Sequence, residues 1–407
     1  MKSIIIIGGG AAGMMASVFA ARGGSDVTLI ESNEKLGKKI YITGKGRCNY
    51  TNAADTEDFF NSVFEGKRFS YSAVYGFDSS MLMDLFAEAG MKSKVERGGR
   101  VFPASDKASD VTKALRKLMD DAGVKVRLNE KVEDIVVEDG EVKAVKTDSG
   151  MYSCDAVILA TGGKSYPTTG SDGNGYSLLK RLGHTIETPR PALVPFVAKD
   201  KWVESLAGLS LVNVEGSLYV DGKLTDRRFG EMLFTHKGIS GPIVLTMSCF
   251  VKEYKNVLVT IDLKPALSKE TLDKRILKDF SENTNREFKN SLDKLMPKSL
   301  AKVVVDLSGI SPTKKVNQIT TKEREELVNL IKALPVHISS DAGFKEAIIT
   351  TGGVKLKEVN PSTMESKIVK GLYLAGEVLN LHAFTGGYNL QLAFSTGHSA
   401  GVAASEE

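Results

Sequence analysis

The chain is 407 residues long, with 42% hydrophobic and 26% charged residues, which excludes a disordered protein and leaves room for two or three domains with cores of their own. No stretch approaches the roughly 18 to 20 apolar residues of a membrane span, and Met1-Lys2 runs into Ile4 to Ile7 without a signal-peptide pattern, so a cytoplasmic location is expected. Cys48, Cys154 and Cys249 stand far apart and form no CxxC, which excludes a disulfide framework, a zinc site and a redox dithiol.

The net charge of +4 has a local source, because residues 264–332 carry 15 Lys/Arg against 10 Asp/Glu. That excess reads as a solvated helical surface, and a nucleic-acid partner is not expected.

In chain order, residues 2–7 read as a strand, 11–22 as a helix and 26–30 as a strand, a βαβ unit. Helical apolar spacing recurs at 79–89 and 107–122, a strand follows at 124–128, and 131–147 reads as a hairpin turning at Asp139-Gly140. A strand at 155–160 stops at Thr161-Gly162-Gly163. Pro189, Pro191 and Pro195 then break the pattern, and short strands with turn residues follow to about 264, such as 212–220 closed by Asp221-Gly222. Residues 268–334 are lysine-rich with helical spacing; after Gly353 the earlier character returns, with a strand at 371–375 and a final helix at about 390–404. The expected fold is α/β: a discontinuous Rossmann-like nucleotide-binding domain (1–190 plus 350–407), a β-barrel-like insertion (191–265 plus 335–349), and a small helical subdomain (266–334) inside it.

Gly8-Gly9-Gly10-Ala11-Ala12-Gly13 supplies GxGxxG between an isoleucine strand and a helix, the context that makes this pattern credible. Gly8 permits the tight turn, Gly10 lets the backbone approach a pyrophosphate, Gly13 allows close helix–strand packing, and the helix start at Ala11-Ala12 offers free N–H groups. Glu31 ends the second strand, where a carboxylate can accept from the ribose hydroxyls. These residues do not separate FAD from NAD. The far end of the chain does, because Leu374-Ala375-Gly376-Glu377 recurs as strand-Gly-acid, the arrangement in which the acid holds a ribityl chain. With Thr161-Gly162 at a strand end and Val132 placed to offer its backbone to an adenine edge, four elements in order point to FAD.

The remaining site candidates follow from flavin chemistry, in which the protein supplies orientation and polarity. Gly387-Tyr388-Asn389-Leu390 opens the last helix, whose N-terminus would stabilise an anionic reduced flavin. The loop from Gly44 to Asn49 is expected along the isoalloxazine, with Gly44 and Gly46 allowing close approach and Arg47, Cys48 and Asn49 as contacts. Cys48 is set aside as a redox thiol because one neighbouring cation and no second cysteine accompany it. Tyr166, with Lys164 beside it, His236 and His382 are the candidate proton donors or substrate contacts; His184, His337 and His398 read as structural or surface. Gly170 to Gly175 has the composition of a phosphate loop without its spacing and is expected to pack near the cofactor. No metal-ligand set is legible, and no second GxGxxG marks a dedicated NAD(P)H domain, so a nicotinamide would dock transiently or oxygen would accept the electrons.

The segments Leu36-Gly37-Lys38-Lys39, Thr43-Gly44-Lys45-Gly46-Arg47-Cys48-Asn49, Gly99-Arg100-Val101-Phe102-Pro103, Gly162 to Pro167, Leu233 to His236 with Gly238 to Pro242, and Gly376-Glu377-Val378-Leu379 resemble the HI0933-like flavoproteins of bacteria, which include aminoacetone oxidases and bile-acid Δ4,6-reductases. The resemblance spans essentially the whole chain. It implies the same three-part fold and adds Lys39 to the expected cofactor contacts. Asn380 stands where the family usually has aspartate, and Lys45 interrupts a run of glycines.

The expected function is hydride transfer between FAD and a small organic substrate bound between the FAD domain and the insertion. An NAD(P)H-dependent C=C reductase is the preferred form of this reaction; an amine oxidase releasing peroxide, a tRNA/RNA-binding flavoprotein and a flavin-binding protein without turnover are the alternatives, and the oligomeric state is left open.

Overall fold

The computed structural model describes residues 1–406. The chain packs into two compact units, residues 1–192 with 344 onward, and residues 193–343.

The first unit is built on a five-stranded parallel sheet in the order Leu372–Leu374, Ala156–Leu159, Ser3–Ile7, Asp26–Ile30, Lys125–Arg127. Its central strand explains the four consecutive isoleucines: Ile4 to Ile7 are at most 4% exposed, as expected of a parallel strand covered on both faces. The helix Ala11–Arg22 begins on Gly10, whose extended backbone leaves the first-turn N–H groups without a side-chain cap. The C-terminal helix Tyr388–Ser405 lies against it through small residues. The remaining helices include Lys67–Gly76, Ser79–Glu88 and Ala108–Asp121. The second of these is capped by Asp78, which accepts from the Ser80 and Met81 amides.

Two smaller pieces of this unit matter for the site. The strands Ile186–Ala192 and Ile349–Val354 pair antiparallel, and the two-residue strand His382–Ala383 pairs with Val63–Glu65. The hairpin at 131–147 is present as Val132–Glu138 and Glu141–Thr147, with Gly150–Ser153 as a third strand.

The second unit is a closed six-stranded antiparallel barrel in the order Phe196–Ala198, Gly238–Ser240, Lys223–Phe234, Ser210–Val220, Val257–Asp262, Leu334–Asp341. The turn at Asp221-Gly222 joins its two longest strands. Helices Lys269–Ser281, Lys298–Leu307 and Thr321–Lys332 belong to this same unit, and Leu272, Val304 and Ile331 share one core with Leu218, Val259 and Val336. A capping box between Thr320 and Glu323 starts the last of these helices. Among the described residues no helix is long and apolar enough to cross a membrane.

Candidate functional site

A cleft opens over the carboxyl ends of the parallel strands, the place where ligands bind in open α/β sheets. Gly8, Gly10, Ala11, Ala12, Glu31, Lys39, Val132, Thr161, Gly162, Gly376, Glu377, Asn389 and Leu390 all line it, with Thr43 and Ile349. Residues expected at the cofactor from both ends of the chain therefore meet in one place.

The glycines divide by what a side chain would meet. A Cβ on Gly8, whose φ is +105°, would sit 2.6 Å from the Ala160 carbonyl oxygen, and one on Gly13 would sit 1.9 Å from the Gly8 carbonyl oxygen, so both are fixed by packing. Gly10 faces open space, a cradle that a side chain would fill and a pyrophosphate can occupy. Glu31 is held in place by the Gly9 amide at 2.6 Å on one oxygen, and by the Asn33 amide at 2.8 Å and the Asn33 side chain at 2.6 Å on the other.

Glu377 joins four segments. It accepts from Lys39 Nζ at 2.6 Å, Ser165 Oγ at 2.8 Å and the Thr350 amide at 2.7 Å. Burial alone would push its carboxyl up, but Lys39 and these hydrogen bonds outweigh it and hold the group below the ordinary carboxylate value. Asn380 is held from both ends: its Oδ1 accepts from the Gly352 amide at 3.0 Å and its Nδ2 donates to Glu187 at 2.8 Å. The amide matches a neighbouring acid, which accounts for asparagine here.

At the other end of the cleft the C-terminal helix starts on Gly387, whose φ is +100° and where a Cβ would lie 2.2 Å from the Thr51 carbonyl oxygen, so only glycine fits. Asn389 clamps the preceding loop, accepting from the Ala383 amide and donating to the Ala383 carbonyl, both at 2.8 Å. Tyr388 packs edge-on against Phe59. In the Thr43–Gly46 turn and just after it, Gly44, Lys45 and Cys48 adopt left-handed backbone. Arg47 pairs with Glu96 and Asp106 and lies over the Phe102 ring, so its guanidinium buttresses this loop. Cys48 is fully buried and burial pushes its thiol up to about 12, leaving no thiolate near neutral pH.

Several buried polar atoms have no partner among the described residues: Asn49 Oδ1, Thr161 Oγ1 and both ring nitrogens of His382. Buried polar groups are almost always satisfied, so Thr161 Oγ1, on a residue that lines the cleft, marks an atom that a ligand can meet. The open Gly10 cradle, the uncapped helix starts and this orphan fit FAD.

The three candidate catalytic residues separate. His382 is 1% exposed in its short strand, with its ring 5.3 Å from that of Phe64. Burial, opposed by Glu377 and reinforced by Arg190, lowers its pKa to about 4, so the ring is neutral. Tyr166 has a left-handed backbone in the loop after Gly163 and donates its amide to the Phe344 carbonyl; neither it nor His382 is among the residues that line the cleft. His236 is exposed in the turn before Gly238 of the second unit. Sequence reasoning passed over Arg190 and Thr350. The Pro189-Arg190-Pro191 run was legible only as a break, and nothing in the sequence marks Thr350.

The family model described as HI0933-like protein Rossmann domain matches residues 2–403. A 3-dehydro-bile acid delta(4,6)-reductase of Clostridium scindens is 33% identical over 412 aligned positions, covering all of both chains. Two proteins named ribosomal RNA dihydrouridine synthase are each 31% identical, the one from Haemophilus influenzae with 99% of this chain and 98% of its own covered, the one from Escherichia coli with 96% and 95%. Among solved structures, a 3-ketosteroid-delta4-(5alpha)-dehydrogenase from Rhodococcus jostii RHA1 superposes with a TM-score of 0.50 at 14% identity, over 100% of this chain and 97% of the other, a likeness of fold alone. The chain belongs to the HI0933-like family and is an FAD-dependent oxidoreductase.

Proposed function

We propose that this enzyme saturates a carbon–carbon double bond conjugated to a carbonyl, with NAD(P)H as the source of reducing equivalents and a uracil base of ribosomal RNA as its substrate. The names of the full-length relatives, a bile-acid Δ4,6-reductase and two dihydrouridine synthases, share that one reaction type despite unlike substrates. Bound FAD supplies the two-electron chemistry, passing hydride from the nicotinamide to the substrate carbon. The protein's part is to hold it: the Gly10 cradle and the Ala11-Ala12 amides would take the pyrophosphate, Glu31 the ribose, the Glu377–Lys39 pair the ribityl region, and the start of the C-terminal helix the ring edge.

The observation that favours RNA is a stripe on the helix Lys67–Gly76. Arg68, Tyr71 and Tyr75 fall on one helical face, and all three are exposed, Tyr75 by 60%. Phe60 meets the two tyrosine rings at 4.4 and 5.5 Å. Aromatic faces next to a guanidinium are what stacks and steers single-stranded bases. The strand Val63–Glu65 that leads into this helix is hydrogen-bonded to the strand holding His382, so the stripe lies one element away from the site. The Lys-rich segment 264–332 adds charge of the right sign, although eight of its 15 cations have ion-pair or hydrogen-bond partners such as Asp273, Asp279 and Glu323. A second reading, reduction of a steroid-like dienone, is favoured by the bile-acid relative.

The test begins with anaerobic stopped-flow mixing of the purified holoenzyme with NADPH and NADH. The reduced enzyme is then offered unmodified ribosomal RNA or a 3-oxo-4,6-diene bile acid. Dihydrouridine found by nucleoside mass spectrometry supports the RNA substrate; loss of the diene chromophore alone supports the second reading. Reduced enzyme that neither compound reoxidises would overturn the C=C reductase assignment.

A further inference from the structure

We infer that Arg190 and His382 form the site that grips the substrate's carbonyl oxygen and takes up the negative charge that builds there. This rests on the C=C reductase reading.

The geometry begins with strand register. Arg190 lies opposite Thr351 and Ala192 opposite Ile349 in the antiparallel pair. Opposed residues share a face and alternate residues return to it, so Arg190 lies on the same sheet face as Ile349, which lines the cofactor cleft. Prolines on both sides, Pro189 and Pro191, fix the backbone that carries it. The side chain is half-buried and makes no hydrogen bond or ion pair among the described residues. Several other half-buried cations have an acid, Lys39 in Glu377, Lys332 in Asp262 and Arg324 in Asp273. The nearest acid on its own strand, Glu187, is taken by the Asn380 amide. A partly desolvated guanidinium without an acid is costly, and it suits a place where negative charge arrives only during the reaction.

His382 supplies the second donor. A core histidine satisfies its ring, as His184 does with Glu358 at 3.3 Å and Ser366 at 2.9 Å. His382 is as deeply buried and satisfies neither nitrogen. Its backbone is pinned by the Val63–Glu65 strand on one side and by Asn389 through Ala383 on the other. Asn380, two residues before His382, is hydrogen-bonded to the Gly352 amide and to Glu187 of the strand pair that carries Arg190, which brings the cation and the imidazole into one region. A neutral imidazole offers one N–H and does not compete with Arg190 for charge.

In the step this pair serves, the β-carbon of the conjugated system gains a hydride and forms a C–H bond. The C=C π pair shifts toward the carbonyl carbon, the C=O π bond breaks, and the oxygen becomes an enolate held by the Arg190 guanidinium and the His382 N–H. When the C=O bond re-forms, the α-carbon takes a proton from water. The balance is NAD(P)H and one proton consumed, one C=C bond saturated and NAD(P)⁺ released. Fixed donors aimed at developing charge in a dry site are among the largest catalytic contributions known.

The test uses the holoenzyme and para-chlorophenol, whose phenolate oxygen stands in for the enolate and whose stacking on oxidised flavin gives a long-wavelength absorption band. Wild-type protein is expected to bind it as phenolate. Arg190→Gln should weaken binding about tenfold or more, as loss of a charge-assisted hydrogen bond does, and Arg190→Lys should recover part of it. His382→Phe should weaken it as well, with His382→Gln intermediate. In single turnovers, reduction by NAD(P)H should stay within about twofold in all four variants, while reoxidation by the unsaturated substrate falls on the order of a hundredfold in Arg190→Gln. FAD content and melting temperature identify any variant that fails to fold, for which the conservative partner stands in. Equal phenolate affinity and equal reoxidation in wild type and Arg190→Gln would overturn the assignment. Arg190-dependent phenolate binding without reduction of any unsaturated carbonyl would support the oxyanion site and sink the reductase reading instead.

Discussion

His398 shows how one partly buried ring couples this fold to pH. It sits in the C-terminal helix with its ring stacked on Phe77 at 4.6 Å and 11°, edge-on to Phe19 at 4.3 Å, and its Nδ1 without a partner. Burial pushes its pKa down to about 4. The folded value lies below the unfolded one, so the unfolded chain takes up a proton first as pH falls. The stability that depends on the neutral ring is complete above about pH 6.5 and is lost between there and about pH 4. A shift of roughly 2.5 units corresponds to about 3 kcal/mol. His398→Phe keeps the stack and removes the proton site. Its unfolding free energy, followed by denaturant titration from pH 7 to pH 4.5, should fall by about 2 kcal/mol less than that of wild type. Parallel pH profiles for the two proteins would show that the ring is not the titrating group. His382 and His184, also held neutral by burial, account for acid sensitivity that survives the substitution.

Between elements, the contact that organises the first unit is the one between its first and last helices. A Cβ on Gly397 would lie 2.4 Å from the Ala12 carbonyl oxygen, and one on Gly401 would lie 2.4 Å from the Ala16 carbonyl oxygen. Two glycines one turn apart thus let the helices touch backbone to backbone. Alanine in place of a mid-helix glycine gains up to about 1 kcal/mol in propensity, whereas overpacking a rigid contact costs about 1–3 kcal/mol. Because the opposing atoms are backbone and cannot swing away, the second effect wins. Gly397→Ala should therefore melt earlier, and because Ala12 lines the cofactor cleft, it should also lose FAD faster on dialysis. A variant as stable as wild type that keeps its FAD would show that the helices have room to separate. This contact was not legible in the sequence, where Gly397 and Gly401 read as ordinary small residues of a helix. The elements that were legible are those whose cause is local: the Gly8 turn, the buried strand Ser3–Ile7, the helix Ala108–Asp121 and the turn at Asp221-Gly222. The residues missed, Thr350 and Arg190, take their meaning from tertiary surroundings, a carboxylate met by one and none met by the other. Arg47 was read as a free donor for the same reason, since Glu96 and Asp106 lie far from it in sequence.

At the scale of the whole chain, the cofactor cleft and the barrel draw on separate stretches of sequence. All residues that line the cleft fall within 1–192 or after 343, and the two units have separate hydrophobic cores. The chain leaves the first unit on the strand ending at Ala192 and re-enters it just before the strand beginning at Ile349, and these two residues are opposite each other in one antiparallel pair. The two ends of the first unit are thus already close. A flexible linker of about eight Gly/Ser residues, with a root-mean-square span near 15 Å, should close the gap if residues 193–343 are removed. Loop closure at that length costs only a few kcal/mol and varies slowly with length, against a core that runs from Ile4 through Ala404 and loses no member. The shortened chain is expected to be soluble and yellow, with about one FAD per chain and a single cooperative melt. Its absorption spectrum, cofactor stoichiometry and melting curve are the measurements. A chain that folds cooperatively yet binds no FAD would mean that residues of the excised unit hold the cofactor. A chain that does not fold at all would mean that the first unit's core depends on the second.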